Sequence, residues 1–232
     1  ERIAELTSKN EALKNEAQKT LRDGIARMQQ AEIDKTLAAA VATLCRIYVE
    51  AEQALTTKTK MRIGSVSKPV TAAGLMLLVE AGTIDLDVPI QTYVPTFPKK
   101  EFEFTLRQLA GHTAGIRHYK GIETFSKKHY PTVLEGLSIF QDDPLEFEPG
   151  TKYQYSSYGW NLISAAMEPA SGTDFLSYMH QAVFEPLGMK DTIADWANRD
   201  IPNRTKFYSK TDAGPKEAPF VDNSYKWAGG GF

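Results

Sequence analysis

The chain has 232 residues, 42% of them hydrophobic and 24% charged, a balance that suits a globular protein of one or two domains. Its net charge is −2 with no long block of one sign, which argues against a nucleic-acid groove or a membrane-binding face. Cys45 is the sole cysteine, excluding an internal disulfide framework or a cysteine-based metal site, and no apolar run approaches the ~18 residues that span a bilayer.

Residues 1–30 lack aromatic residues and proline, and interleave charges with helix formers. Ile3, Leu6, Asn10, Leu13 and Ala17 follow the a/d spacing of a short coiled coil, with Asn10 at an a-like position. Glu5–Lys9, Glu11–Lys14 and Glu16–Lys19 pair at helical spacing, each worth a few tenths of a kcal/mol. The heptad lapses at Leu21 and Ile25, and Gly24 weakens the helix by ~1 kcal/mol relative to alanine. A helical arm is expected here, either lying on its own domain or pairing with a second copy. Residues 31–232 then form the main domain.

A second helix is expected through Ile33, Leu37, Val41 and Leu44, followed by a half-buried strand over 45–50 with Cys45, Ile47 and Val49 on one face. After a loop, residues 67–81 read as a helix apolar nearly all round, hence buried, and closed by Gly82. Prolines 89, 95 and 98 punctuate an irregular stretch. Short helices are expected in "TLRQLAG", "TVLEGLSIF", "YGWNLISAAMEPASG" and "DFLSYMHQAVFEPLGM". Residues 190–226 read as loop-rich.

The chemistry centres on "MRIGSVSKPV". A serine hydroxyl needs a base within hydrogen-bond reach, and a lysine three residues along a helix shares its face. The free N–H groups and positive end of that helix favour both a neutral lysine and a nearby oxyanion. Pro69 fits the first turn, where its missing N–H has no partner. Serine-x-x-lysine alone is weak, since a chain this long holds roughly one by chance. The bland alternative makes Ser65 or Ser67 a helix cap and Lys68 a solvated lysine. Among Tyr153, Tyr158 and Trp160, Tyr155 reads from the residues alone as core.

Several further segments change that balance. "IGSVSKPVTA", "TLRQLAGHTAGI", "FEPGTKYQYSSYGWNLISA", "PLGMKDT" and "WAGGGF" occur in the order and approximate spacing of the serine β-lactamase and penicillin-binding-protein superfamily. The chain resembles its class C and esterase-like branch over about 57–232, and within it the mitochondrial-type serine β-lactamase-like members. The resemblance implies an α+β, β-lactamase/transpeptidase-like fold. It matches Ser65 to the acylated nucleophile, Lys68 to its base partner and Tyr155 to the tyrosine of the second motif. Ser157 falls at the substrate-contacting asparagine position of that motif. His112 falls in a turn supporting the site wall, and the other histidines, 118, 129 and 180, show no metal-ligand spacing. Asp85, Asp87, Asp142 and Asp143 read as solvated or capping carboxylates, and Asn203-Arg204-Thr205 as a chance sequon.

Two departures qualify the match. About one strand of the early hairpin has no counterpart, and nothing after "WAGGGF" matches the third motif, the lysine- or histidine-x-glycine strand. Much of the antiparallel sheet is therefore expected to be missing, leaving mostly the helical part. Losing one oxyanion donor typically costs about 10²–10³ in rate. The implied function is serine acyl transfer on an amide, ester or lactam carbonyl of a small molecule or peptide. No metal or organic cofactor, nucleic acid or membrane span is implied, and self-association is expected. Periplasmic, secreted and mitochondrial settings all occur in the family. The rival expectation is a weak or inactive member that assembles into oligomers or filaments.

Overall fold

A computed structural model describes residues 56–219 and 221–232. The expected arm, the second helix and the 45–50 strand lie outside the described residues. Thr59–Ser209 and Glu217–Phe232 form one compact unit, and Lys210–Lys216 belongs to a second.

Six α-helices, numbered along the described residues, build the compact unit: α1 Ser67–Glu80, α2 Leu106–Ala110, α3 Val133–Leu137, α4 Ser157–Ser171, α5 Phe175–Met179 and α6 Trp227–Gly230. Side-chain oxygens set several starts. Thr105, Thr132, Ser156 and Asp174 each accept a first-turn N–H, which substitutes for the hydrogen bonds a helix end lacks. Thr105 and Gln108 complete a reciprocal capping box. The expected helix after Asp174 forms in two pieces, because α5 passes into a π-helical stretch at His180–Phe184.

α4 is the centre of the unit. Tyr158, Leu162, Ile163, Ala166 and Met167 are fully buried on it. α1, α2, α3, α5 and α6 all pack around it. Burying side chains of this size stabilises by roughly 1.5–3 kcal/mol each, against the entropy of ordering them.

Two expectations need correction. The 190–226 stretch contains a hairpin, β1 Tyr208–Thr211 and β2 Gly214–Glu217, joined by a tight turn with Gly214 at φ +110°. These four-residue strands alternate little in sequence, so no period-2 pattern announces them. α1 is also not buried all round: Thr71, Gly74, Leu75 and Leu78 face the core, whereas Val66 just before it is 59% exposed, Met76 50% and Leu77 42%. An apolar sequence fixes the capacity to be covered, and the described residues cover one side. The two strands form the only sheet among the described residues.

Candidate active site

The serine turn is shaped before any chemistry enters. Gly64 has φ +52°, a left-handed conformation that side-chain-bearing residues adopt at a cost, and it opens a 3-10 turn over Gly64–Val66 that runs into α1. Ser65 is exposed on that turn, while Lys68 is 5% exposed one turn on. α6 closes over them. A Cβ on Gly229 would sit 3.1 Å from the Ser157 carbonyl oxygen, so any larger residue would push these two segments a few tenths of an ångström apart.

Four side chains converge. Lys68 Nζ donates to Ser65 Oγ at 3.2 Å, to Ser157 Oγ at 3.1 Å and to the Gly229 carbonyl at 2.6 Å. Tyr155 donates its hydroxyl to Ser65 Oγ at 2.7 Å, with the Lys68 ammonium 4.7 Å from its ring centroid. Ser156 caps α4, which makes Ser157 its first residue and aims the hydroxyl at Lys68. The structure thus brings Ser65, Lys68, Tyr155 and Ser157 into one cluster. Tyr155 is 36% exposed, unlike the buried Tyr158 and Trp160.

Burial pushes the Lys68 ammonium below its ordinary value, partly offset by Tyr155. For Tyr155, burial acts upward but is outweighed by Lys68 and Ser65, so the phenol lies below its usual range. Both shifts run in the direction that favours proton exchange between Lys68 and Tyr155. Such an arrangement can take the proton of an attacking hydroxyl and return it to a leaving group.

Sequence reading placed His112 in a turn supporting the site wall but gave its neighbours no role. His112 and His118 accept backbone N–H bonds from Ser156 and Ser157, and both rings lie against Tyr155. Tyr119 lines the far side of Ser157, its phenol pushed by burial up to about 12 despite a bond to that serine. Arg117, also buried, binds Glu123 and Asp143 together. Asp143 and Asp87 are therefore ion-paired, the latter to Arg107 on both oxygens. The family resemblance pointed to His112; for His118 the "H-x-x-x-x-x-H" spacing of the 112–118 loop carries no chemistry alone.

Among the described residues no cluster of His, Cys, Asp and Glu could hold a metal ion. No described helix is long and apolar enough to cross a membrane. A cavity of about 930 Å³, lined by Tyr130, Glu168, Trp196, Trp227 and Phe232 among others, excludes the Ser65 cluster.

The β-lactamase family model matches residues 35–232. The chain belongs to the β-lactamase family. Among family members, the human serine beta-lactamase-like protein LACTB, mitochondrial, is 33% identical over 257 residues, covering 80% of this chain and 47% of that protein. The D-amino acid amidase of Ochrobactrum anthropi SV3, solved with L-phenylalanine, is 28% identical with a TM-score of 0.65, over 76% of this chain and 51% of that one. An octameric penicillin-binding protein homologue from Pyrococcus abyssi is 27% identical with a TM-score of 0.63, over 79% and 44%. The β-lactamase-like chain spans about half the length of the curated relatives it matches. Its fold is that of the β-lactamase and transpeptidase group, a helix-rich part with a small sheet.

Proposed function

We propose that the protein is a serine hydrolase working through an acyl-enzyme on an amide, ester or lactam carbonyl. The observation that carries this reading is the 2.7 Å contact between Tyr155 and Ser65, made beside the buried Lys68, whose ammonium burial holds below its ordinary value. Tyr155 as phenolate, held by the Lys68 charge, accepts the Ser65 proton while Oγ attacks the carbonyl carbon. The same phenol then protonates the departing amine or alkoxide, leaving Ser65 esterified. Water, deprotonated by the same pair, hydrolyses that ester and restores Ser65. Ser157 holds Lys68 in place and occupies the substrate-contacting position. The D-amino acid amidase relative supports an acyl-transfer reading in its name.

Incubation with a fluorophosphonate, followed by intact mass measurement, tests this directly. One adduct is expected, on Ser65, and none in Ser65→Ala, whose circular dichroism spectrum should be unchanged. An adduct that persists in Ser65→Ala would overturn the assignment.

A second reading is a weak or inactive member that self-assembles. It is favoured by the exposed Met76 and Leu77 on α1 and Val66 in the turn before it, apolar side chains of the sort that mark contacts. The octameric state of the Pyrococcus abyssi homologue supports it. Sedimentation analysis decides: a monodisperse monomer with multiple turnovers at ordinary enzyme rates removes this reading.

A further inference from the structure

Two imidazoles flank the phenol of Tyr155. His112 lies with its ring centroid 4.6 Å away and His118 meets the ring nearly edge-on at 5.4 Å. Each uses Nδ1 as an acceptor, His112 from the Ser156 N–H and His118 from the Ser157 N–H, both at 3.1 Å. An accepting Nδ1 carries no proton, so both rings are neutral with hydrogen on Nε2. The imidazolium form cannot make either bond, because its Nδ1 is itself a donor.

The surroundings of His118 offer nothing to hold a positive charge. Lys68 faces it from α1, Tyr155 and Ser157 from the start of α4, and Tyr119 stacks at 4.3 Å. Arg117 donates to its carbonyl at 2.9 Å, and His112 shares the same field. The N-terminal end of α4 adds positive partial charge. Among the described residues no carboxylate bonds to either ring, whereas His129 has Asp222 at 3.0 Å. Burial first, and the Lys68 charge second, hold His118 below the ordinary imidazole value, and the same causes act on His112.

We propose that His118, with His112 in support, is a positioning residue that fixes the Tyr155–Ser157 backbone against Ser65 and Lys68 and releases it on protonation. The inference rests on the reading of Ser65 as nucleophile and gives that site an acid-side control. Below the ordinary imidazole pKa of about 6.5, proton uptake turns two acceptors into donors facing backbone N–H groups. The Tyr155 oxygen then leaves the line to Ser65. These two linked protons add up to two to the slope with which the logarithm of the rate falls in acid, beyond the slope of one from protonating the Tyr155 phenolate.

Two variants separate positioning from mere structure, read by the rate of fluorophosphonate labelling of Ser65 across pH. His118→Phe keeps a ring but loses the acceptor, and labelling at about pH 8 should slow roughly 10²-fold, the scale of a 1 Å misplacement. His118→Asn restores an acceptor oxygen where Nδ1 stood. It should recover most of that rate and lower the acid-limb slope by about one. An unchanged acid limb in His118→Asn, or wild-type rates in His118→Phe, would overturn the inference. If the wild type labels at no pH, the hydrolase reading fails, and the inference is then read by NMR. The expected result is Nε2–H imidazoles and a Ser157 amide that titrates with His118; an Nδ1–H tautomer or an indifferent amide overturns it.

Discussion

Lys68 and Arg117 are cations at the same depth, 5% and 4% exposed, and one stretch of chain touches both. Ser157 accepts from Lys68, and Ser156 donates its hydroxyl to the Arg117 carbonyl. Their company is opposite. Lys68 has two hydroxyls and a carbonyl, all neutral; Arg117 has Glu123, Asp143 and the carbonyls of His118 and Ile139. Burial therefore wins at Lys68 and lowers its proton affinity, while at Arg117 two carboxylates outweigh burial and raise it. A cation buried without a counter-ion can exchange its proton; one buried with two carboxylates is fixed in charge and ties chain segments together.

Substituting each cation should break different things. Lys68→Met should cost about 10²–10⁴ in the rate of Ser65 labelling, the usual range for a positioned acid–base group. Its melting temperature should hold or rise, since an uncompensated buried ammonium is removed. Wild-type labelling in Lys68→Met would erase the distinction. Arg117→Met should instead destabilise by about 2–4 kcal/mol in urea unfolding, less than the full cost of a broken buried pair because its carboxylates keep some solvent. Glu123 and Asp143 are 28% and 35% exposed as side chains.

Acid sharpens the contrast. Arg117 holds the Asp143 carboxyl below its usual range; at Glu123 burial acts upward but the bonds from Arg117 and Lys120 prevail. Both carboxyls bind protons more weakly folded than unfolded, so their contribution is full above the ordinary carboxylate range. It is lost as pH falls through the depressed values. Unfolding free energy should therefore drop in acid for wild type and drop less steeply in Arg117→Met. A parallel pH dependence would show that the cluster does not carry the acid sensitivity. The smallest effect belongs to the surface pair: Asp87→Asn breaks a two-bond contact to Arg107 with both side chains well exposed, and no change in melting temperature is expected.

How far these features could be read in the sequence follows their range. α1 and α4 were legible because capping residues and apolar runs act locally. Helical spacing put Ser65 and Lys68 on one face, a weak signal by itself, and their roles, like those of Tyr155 and Ser157, were named through the family resemblance. The Arg117 cluster was not, since Asp143 lies 26 residues away and no local pattern ties it to an arginine. His118 was passed over for a related reason: its role is to accept from a backbone N–H 39 residues on, and any residue supplies that N–H. The exposure of Met76 and Leu77 was hidden as well, because hydrophobicity states what a side chain prefers, not what lies opposite it.

The Gly229 carbonyl that accepts from Lys68 is 161 residues along the chain, and the Phe232 N–H reaches back 165 residues to Ser67 Oγ. Contacts of such separation form late, after the loops between them have been closed. During synthesis, Ser65 and Lys68 emerge from the ribosome long before residues 227–232, so α1 is translated with its lysine unanchored. Anchoring of that lysine thereby waits on the 227–232 segment: until it is made and packed, Lys68 lacks the Gly229 carbonyl and the turn before α1 lacks its cover.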